Sequence, residues 1–170
     1  MTKNISKKNE DNFFRFTKLK TSEVKDLIKK LSYFYDDNLD QLLNYNFYKN
    51  KIDKVYIFNG NLDEIDVSSV NFLGLYFGTF HEERFRLSIE GSKFVKPKKN
   101  FIKLNEKSFQ SYITAENLFE EEIEEISIED NCPFLIVIYE NENLGSVSIK
   151  EKNILTYMPK SRKLDFNKVF

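Results

Sequence analysis

Cysteine and histidine are almost absent from this sequence, which has one of each in 170 residues. Cys132 therefore has no internal partner for a disulfide, and with His81 it cannot supply a multi-ligand metal site. The five glycines include no arrangement typical of a phosphate-binding loop. No apolar run approaches the roughly 18 residues that a membrane helix requires. We therefore expect a soluble, cytoplasmic protein with no cofactor, no metal, no membrane contact and no small-molecule substrate.

The few groups that carry out chemistry in enzymes also lie in unpromising surroundings. His81 stands between Phe80 and an acidic pair, as expected of an exposed loop tip. Cys132 precedes an apolar run at 133–138, where a buried thiol is the simpler interpretation. The carboxylates lie in polar segments that would leave their pKa values unperturbed. The sequence gives no catalytic residue, and we expect that the protein is not an enzyme.

Phenylalanine, by contrast, is abundant, with 17 residues beside nine tyrosines. The 41% apolar content is enough for one ordinary domain or two small ones. The net charge is only −1, but lysines dominate residues 93–107 and the last twenty or so residues, whereas 116–130 is acidic. Charge alone leaves two interpretations equally open: solvated faces that keep the protein in solution, or a local positive field that attracts nucleic acid.

Hydrophobic spacing gives the elements of the first half. A helix is predicted from Thr21 or Ser22, either of which could cap it. Its buried stripe follows at helical spacing: Val24, Leu27, Ile28, Leu31 and Phe34 or Tyr35. We predict a frayed segment at 1–12, a short helix at 39–43, and strands at 54–58, 71–80 and 84–89.

A break in composition at 91–100, with Gly91, Pro97 and four lysines, marks the predicted domain boundary. We therefore divide the chain into domains 1–95 and 96–170. The second domain is predicted to contain strands at 101–104, 134–139, 144–149 and 154–158. A helix is predicted at 111–126, with Leu118, Phe119, Ile123 and Ile126 buried.

The most distinctive stretch is Leu73-Gly74-Leu75-Tyr76-Phe77-Gly78-Thr79-Phe80, followed by Phe85-Arg86-Leu87. Glycines in a strand indicate a bulge or a close backbone approach. Arg86, between apolar neighbours, is expected to pair with a carboxylate or a phosphate. The stretch resembles the signature of the Nip-seven family of ribosome biogenesis proteins. The resemblance extends outward, in order, to 30–43, 54–57, 112–119 and Leu144-Gly145. Three places depart from it: Ala115 and Val147 replace glycines, and 159–161 lacks one.

The resemblance implies an α+β protein, in which an N-terminal α/β pre-PUA domain of antiparallel sheet with helices precedes a C-terminal PUA-type mixed β-barrel. It also implies an archaeal-type ribosome biogenesis factor that binds rRNA, or uridine- or adenosine-rich single strands, during large-subunit maturation. Ribosome assembly or exosome proteins would be its partners, and the location would be nucleolar in a eukaryote.

The candidate RNA-binding residues come from the basic C-terminal third. Two neighbouring turns are predicted to bring five cations to one rim, where they would contact phosphates. They are Lys150, Lys152, Lys160, Arg162 and Lys163. Tyr157 is a candidate stacking face, and Lys98, Lys99 and Lys103 are possible extensions.

Two alternatives stay open. In the first, the chain is a protein-interaction adaptor, whose N-terminal domain or acidic segment 116–125 binds a partner. In the second, it is an accessory RNA-binding subunit of an RNA-processing, RNA-degrading or RNA-modifying complex.

Overall fold

The computed structural model describes residues 16–60, 73–151 and 153–165, so the segment predicted to be frayed, 1–12, lies outside the described residues. A five-stranded antiparallel sheet of order β1-β2-β3-β4-β5 forms the first half. Its strands are β1 (Thr17–Lys18), β2 (Asn46–Lys49), β3 (Lys54–Phe58), β4 (Leu75–His81) and β5 (Arg84–Leu87).

The second sheet is mixed and curls into a half-barrel of order β7-β11-β10-β9-β6-β8. Parallel pairing joins β6 to β9, and its other pairs are antiparallel. Its strands are β6 (Phe101–Leu104), β7 (Leu118–Phe119), β8 (Glu125–Ser127), β9 (Leu135–Tyr139), β10 (Glu142–Lys150) and β11 (Asn153–Thr156). The predicted strands of the second half are therefore confirmed, with small shifts at their ends.

The first helix, α1 (Thr21–Tyr35), buries the predicted stripe against the first sheet. The predicted cap was wrong by a residue, because Lys20 is the residue before the helix. Its backbone N–H donates to Glu23 Oε2 at 2.7 Å, so an acidic side chain in the first turn satisfies an otherwise unpaired donor. A 3₁₀ turn, Asp40–Asn44, stands where the second short helix was predicted.

A four-residue helix, α2 (Ile89–Ser92), was not predicted; the strand expected at 84–89 ends at Leu87. Ser88 caps this helix, since its Oγ accepts a hydrogen bond from the Gly91 N–H at 2.8 Å. Gly91 is required at its position, because a Cβ there would lie 1.9 Å from the Phe77 carbonyl oxygen. The glycine thus lets α2 lie directly on β4.

The helix predicted at 111–126 was wrong. The third helix, α3 (Glu106–Ile113), starts earlier, because Asn105 caps it by accepting from the Ser108 N–H at 3.0 Å. It ends where Ala115 adopts a φ of 54°. There the N–H of Glu116 donates to the carbonyl of Ser111 at 2.9 Å, which closes the helix with a left-handed residue.

The glutamate-rich residues that were expected to extend this helix instead form β7, a 3₁₀ turn (Glu120–Glu122) and β8. Leu118 is buried and pairs through β7 with Ile154, whereas Phe119 is 41% exposed. Edge pairing overrides helix propensity here, because burying Leu118 in the second core outweighs the weak preference of glutamate for a helix.

The two halves share one continuous interior. Ile136 of β9 packs in the core formed by α1 and the first sheet. The Tyr35 hydroxyl donates to the Phe134 carbonyl at 3.0 Å, and Ser146 Oγ donates to the Leu87 carbonyl at 2.6 Å. Buried, fully paired polar groups across the junction fix how the two sheets face each other.

Candidate nucleic-acid interface

A cleft of about 390 Å³ lies where the first sheet meets the segment that follows β11. Among the described residues, the charged ones that line it are three cations and one carboxylate, so the cleft carries a positive field. These charged residues and the three tyrosines that accompany them are Lys54, Tyr76, Arg86, Glu90, Tyr112, Tyr157 and Arg162.

A β-bulge in β4 positions the side chain of Tyr76. Val55 pairs with Gly78 and Tyr56 with Tyr76, so Phe77 is the extra residue in β4. Phe77 points into the core, and the bulge puts Tyr76 on the same face as Thr79, to which its hydroxyl is hydrogen-bonded. Glycine is needed beside the bulge, since a Cβ at Gly78 would lie 2.4 Å from the Arg86 carbonyl oxygen. The bulge and close approach that the glycines predicted are confirmed.

Arg86 spans the cleft from the first sheet to the second half of the chain. Its guanidinium carbon lies 4.1 Å from the centroid of the Tyr157 ring, and its Nε donates to His81 Nε2 at 3.4 Å. Among the residues that the structure describes, no carboxylate lies within 4.0 Å of this half-buried guanidinium. The carboxylate partner that the sequence offered as one possibility is thus not found there, and the Arg86 guanidinium instead contacts the Tyr157 ring and the His81 imidazole.

The other two cations of the cleft differ in how they are held. Lys54 Nζ lies 5.5 Å from the Tyr76 ring centroid and, within the described ranges, has no carboxylate partner. Arg162 pairs with Glu90 of α2. Lys54 and Arg86 therefore carry the unneutralised charge of the cleft.

His81 lies at the exposed end of β4, as predicted. Desolvation lowers the pKa of its imidazole, and the nearby charges of Arg86 and Arg84 lower that pKa further. Because Nε2 accepts from Arg86, the ring is neutral and serves to orient the guanidinium.

Those of the five predicted cations that the structure describes do not meet at one rim. Lys150 pairs with Asn153 at the turn end of the β10–β11 hairpin, whereas Lys160 and Arg162 follow the other end of β11. At about 3.4 Å per residue, the strand alone separates the two ends by about 10 Å. The prediction was wrong because successive turns of an antiparallel strand lie at opposite ends. Lys152 lies outside the described residues.

Three of the predicted cations lie in or near the cleft: Lys160, Arg162 and Lys163. Arg162 lines it, and Lys160 and Lys163, which flank Arg162, are exposed. The chain then reaches the C-terminal end of α3, where the Leu164 N–H donates to the Ile113 carbonyl at 2.9 Å.

The three predicted lysine extensions each lie beside a carboxylate. Lys99 pairs with Asp130 and keeps only 18% of its side chain exposed. Lys103 Nζ lies 2.8 Å from Glu124 Oε1, and Lys98 Nζ lies 3.9 Å from Asp36 Oδ2. Lys98 remains largely exposed, but the charges of Lys99 and Lys103 are neutralised by pairs that are distant in sequence.

Tyr157 is half-buried and joins several elements. Besides Arg86, its ring contacts the edge of Phe134 at 5.9 Å between centroids, and its hydroxyl is hydrogen-bonded to Ser148 at 2.9 Å. One ring face is thus already occupied by the Arg86 guanidinium. Sequence reasoning singled out Tyr157 but missed Lys54 and Tyr76. The signal for Lys54 was the outward-facing alternation along 54–58, whereas the orientation of Tyr76 follows only once the bulge in β4 is known.

Of the three departures from the family pattern, the segment 159–161 contributes Pro159 and Ser161 to the cleft, whereas Val147 and Ala115 are not among its lining residues. Val147 is fully buried between Leu135 and Thr156, so its side chain fills the core and does not reach the surface. Ala115 keeps the left-handed turn that glycine would favour.

Comparison with known proteins supports this picture. Residues 16–89 match the family described as NIP7/UPF0113, pre-PUA domain. The whole chain is similar to a solved structure of a conserved PUA domain protein from Thermoplasma acidophilum, at 9% identity and a TM-score of 0.57. That likeness covers 87% of this chain and 97% of the other, and at such low identity it shows the fold. No curated protein sequence matches this chain. The predicted α+β architecture with a PUA-type second half is thereby confirmed.

Proposed function

The chain belongs to the NIP7-like family through its pre-PUA domain, residues 16–89, and from that premise we propose that it is a non-catalytic RNA-binding protein of the ribosome-biogenesis type. The observation that supports RNA as the ligand is the cleft, where Lys54 and Arg86 lack carboxylate partners among the described residues and lie beside two tyrosine rings. Cations for phosphates and aromatic rings for bases are the pair of features that single-stranded nucleic acid needs.

In finer detail, we propose that the RNA is ribosomal and that the protein acts during maturation of the large subunit in the cytoplasm. Ribosome assembly or exosome proteins would then be its protein partners. The family resemblance supports these roles.

A direct test is to titrate the protein with a fluorescent single-stranded oligouridine at about 50 mM and about 200 mM salt, since phosphate contacts make affinity fall as salt rises. The triple variant in which Lys160, Arg162 and Lys163 become alanine should bind more weakly and show a shallower salt slope. The matched control removes three exposed lysines of α1 instead: Lys25, Lys29 and Lys30. It should keep the wild-type slope.

No measurable binding at the lower salt would refute the proposal and favour the adaptor alternative. Equal losses of RNA affinity in both triple variants would show a nonspecific charge effect. They would also contradict a binding surface that includes Lys160, Arg162 and Lys163.

A further inference from the structure

We propose that the cleft holds one unpaired nucleotide of a single-stranded RNA, with its phosphate on Lys54 and Arg86 and its base against Tyr76, and that the cleft does not read the identity of the base. This inference rests on the proposed function, because it takes RNA as the ligand, and it extends that function by naming the site and the form of RNA. Three features of the cleft carry it.

The first feature is the register of the two cations. Lys54 pairs with Thr79, and Thr79 pairs with Arg86, so the three residues form one row across β3, β4 and β5. Residues in such a row project from the same face of a sheet, and the outer strands are about 10 Å apart. Two long cationic side chains that begin at this spacing converge on an anion between them. Arg86 is held in place by Tyr157 and His81, so its guanidinium is already oriented.

The second feature is the Tyr76 ring, which lies beside that row. Its hydroxyl is fixed by Thr79, and its other neighbour is Tyr56, at 5.5 Å between ring centroids and a tilt of 46°. A ring held in this way presents a stacking surface at little cost in side-chain entropy. A base stacked on Tyr76 brings its own phosphate within reach of Lys54, which already lies over the same ring.

The third feature is that five of the six hydroxyl groups that line the cleft are hydrogen-bonded within the protein, and Ser161 alone has no such bond among the described residues. Ser88 Oγ donates to the Tyr76 carbonyl at 2.5 Å, and Ser146 Oγ donates to the Leu87 carbonyl at 2.6 Å. The Tyr112 hydroxyl donates to the Leu144 carbonyl at 2.9 Å. Each of these protons goes to the protein backbone, so these groups have no donor left for a base edge. Base discrimination needs such donors, whereas stacking and phosphate contacts do not.

The size of the cleft selects the form of RNA. A volume of about 390 Å³ is that of a small-ligand site, and it is bounded by both halves of the chain. Bases in a duplex are stacked within the helix and cannot enter such a space, whereas an unpaired base can. The cleft therefore fits a single strand or a loop.

The test is to measure the affinity of the full chain for single-stranded oligomers of uridine, adenosine and cytidine and for a blunt RNA duplex, all of equal length. We expect similar affinity for the three single strands, within about threefold, and at least about tenfold weaker binding to the duplex. Lys54→Gln and Arg86→Gln should each reduce the slope of log affinity against log salt by about 0.7. Tyr76→Leu should weaken binding at least about fivefold, and more than Tyr76→Phe, which keeps the ring but loses the hydroxyl bonded to Thr79.

Lys25→Gln and Lys29→Gln on α1 are the matched controls, and urea unfolding of each variant verifies that it is folded.

A variant that is expected to bind RNA more tightly is also needed, because misfolding cannot produce a gain of affinity. Glu90→Gln removes the one carboxylate among the described residues that lines the cleft, and it releases Arg162, so it should tighten binding about twofold or more. If the chain binds RNA but the variants of Lys54, Arg86, Tyr76 and Glu90 bind like the controls, the cleft is not the site and the proposed function stands. Strong preference for one base, or equal binding of the duplex, would also overturn the inference. Absence of RNA binding by the unchanged chain would refute the proposed function itself.

Discussion

The Arg86 guanidinium carbon lies over the Tyr157 ring, 4.1 Å from the ring centroid, and this contact joins the first sheet to the segment after β11. Arg86 belongs to β5, whereas Tyr157 follows the last strand of the second sheet. One contact thus has two consequences: it stabilises the junction, and it orients a cation in the cleft.

The stabilising part is measurable by a double-mutant cycle. Arg86→Ala and Tyr157→Ala should each lower the free energy of unfolding, and the double variant should show a coupling energy of about 1 kcal/mol, as expected for a partly desolvated cation–aromatic pair. Urea unfolding gives all the values required. Tyr157→Phe, which keeps the ring and loses the hydroxyl bonded to Ser148, should preserve the coupling with Arg86. Strict additivity would mean that the contact contributes nothing.

The single histidine makes the electrostatics of the same region observable by NMR, because one imidazole signal needs no assignment. Desolvation, followed by Arg86 and Arg84, lowers the pKa of His81 below the ordinary 6.5. A proton titration should therefore give a midpoint below 6.5. Arg86→Gln should raise that midpoint only partway, since burial is the larger cause.

The same shift sets the sign of a pH effect on stability. A histidine whose pKa is lowered by folding binds more protons when unfolded, so the free energy of unfolding rises with pH through the window just below 6.5. His81→Gln should flatten that part of the stability curve. A steeper fall at low pH in the variant would contradict this assignment.

Local sequence patterns predicted several helices and strands correctly, but they did not predict which residues come together in the cleft. The stripe from Val24 to Tyr35 predicted α1, and β-branched and aromatic runs predicted β3 and β6, because each of these elements buries a face with a clear period. The role of Tyr76 could not be predicted from the sequence. Its orientation depends on one extra residue in β4, and such a bulge moves the side chains that precede it to the opposite face of the sheet.

The charge distribution shows a second limit. Lysine runs suggested a basic surface, but Lys99 pairs with Asp130 and Lys103 with Glu124, partners that are far away in sequence. Neutralisation of this kind depends on the pairing of β6 with its neighbours, which composition does not report. The two cations of the cleft that lack a carboxylate partner among the described residues, Lys54 and Arg86, come instead from strands of the N-terminal half, where the charge is mixed and no run is visible.

Close packing at Gly91 gives a further prediction. Because an added Cβ would lie 1.9 Å from the Phe77 carbonyl oxygen and 2.8 Å from its carbon, Gly91→Ala must push α2 away from the bulged strand. We expect a loss of more than about 2 kcal/mol in the free energy of unfolding. Gly60→Ala is the matched control, since the three atoms nearest to its Cβ all belong to the Phe58 ring, the closest at 2.4 Å, and a side chain can move. Equal losses in the free energy of unfolding for Gly91→Ala and Gly60→Ala would contradict this explanation.

Cys132 should be chemically sluggish. Burial raises the pKa of its thiol to about 11, and its Sγ donates to the Phe134 carbonyl at 3.1 Å. Since the thiolate is the reactive form, reaction with a thiol-specific disulfide reagent near pH 8 should be slower than for a free cysteine by roughly two orders of magnitude. Reaction in denaturant provides the control and should proceed at the ordinary rate. Rapid modification of the native protein would show that the thiol is exposed.

The turn after α3 offers a stabilising substitution. Ala115 has a φ of 54°, a conformation that costs an L-residue with a Cβ about 1 kcal/mol, and glycine adopts it without steric strain. Glycine also gains entropy in the unfolded chain, which offsets part of the benefit. Ala115→Gly should therefore raise the free energy of unfolding by roughly 0.5 to 1 kcal/mol in a urea titration.

The control for that substitution is Asn117→Gly, two residues further along. Asn117 is exposed and has an ordinary negative φ, so glycine there brings only the entropic cost and should leave stability unchanged or slightly lower. Opposite signs at the two positions would identify backbone conformation as the cause. Stabilisation at both would point to the unfolded state or to a local contact, and destabilisation at Ala115 would mean that its methyl group contributes packing that outweighs the strain.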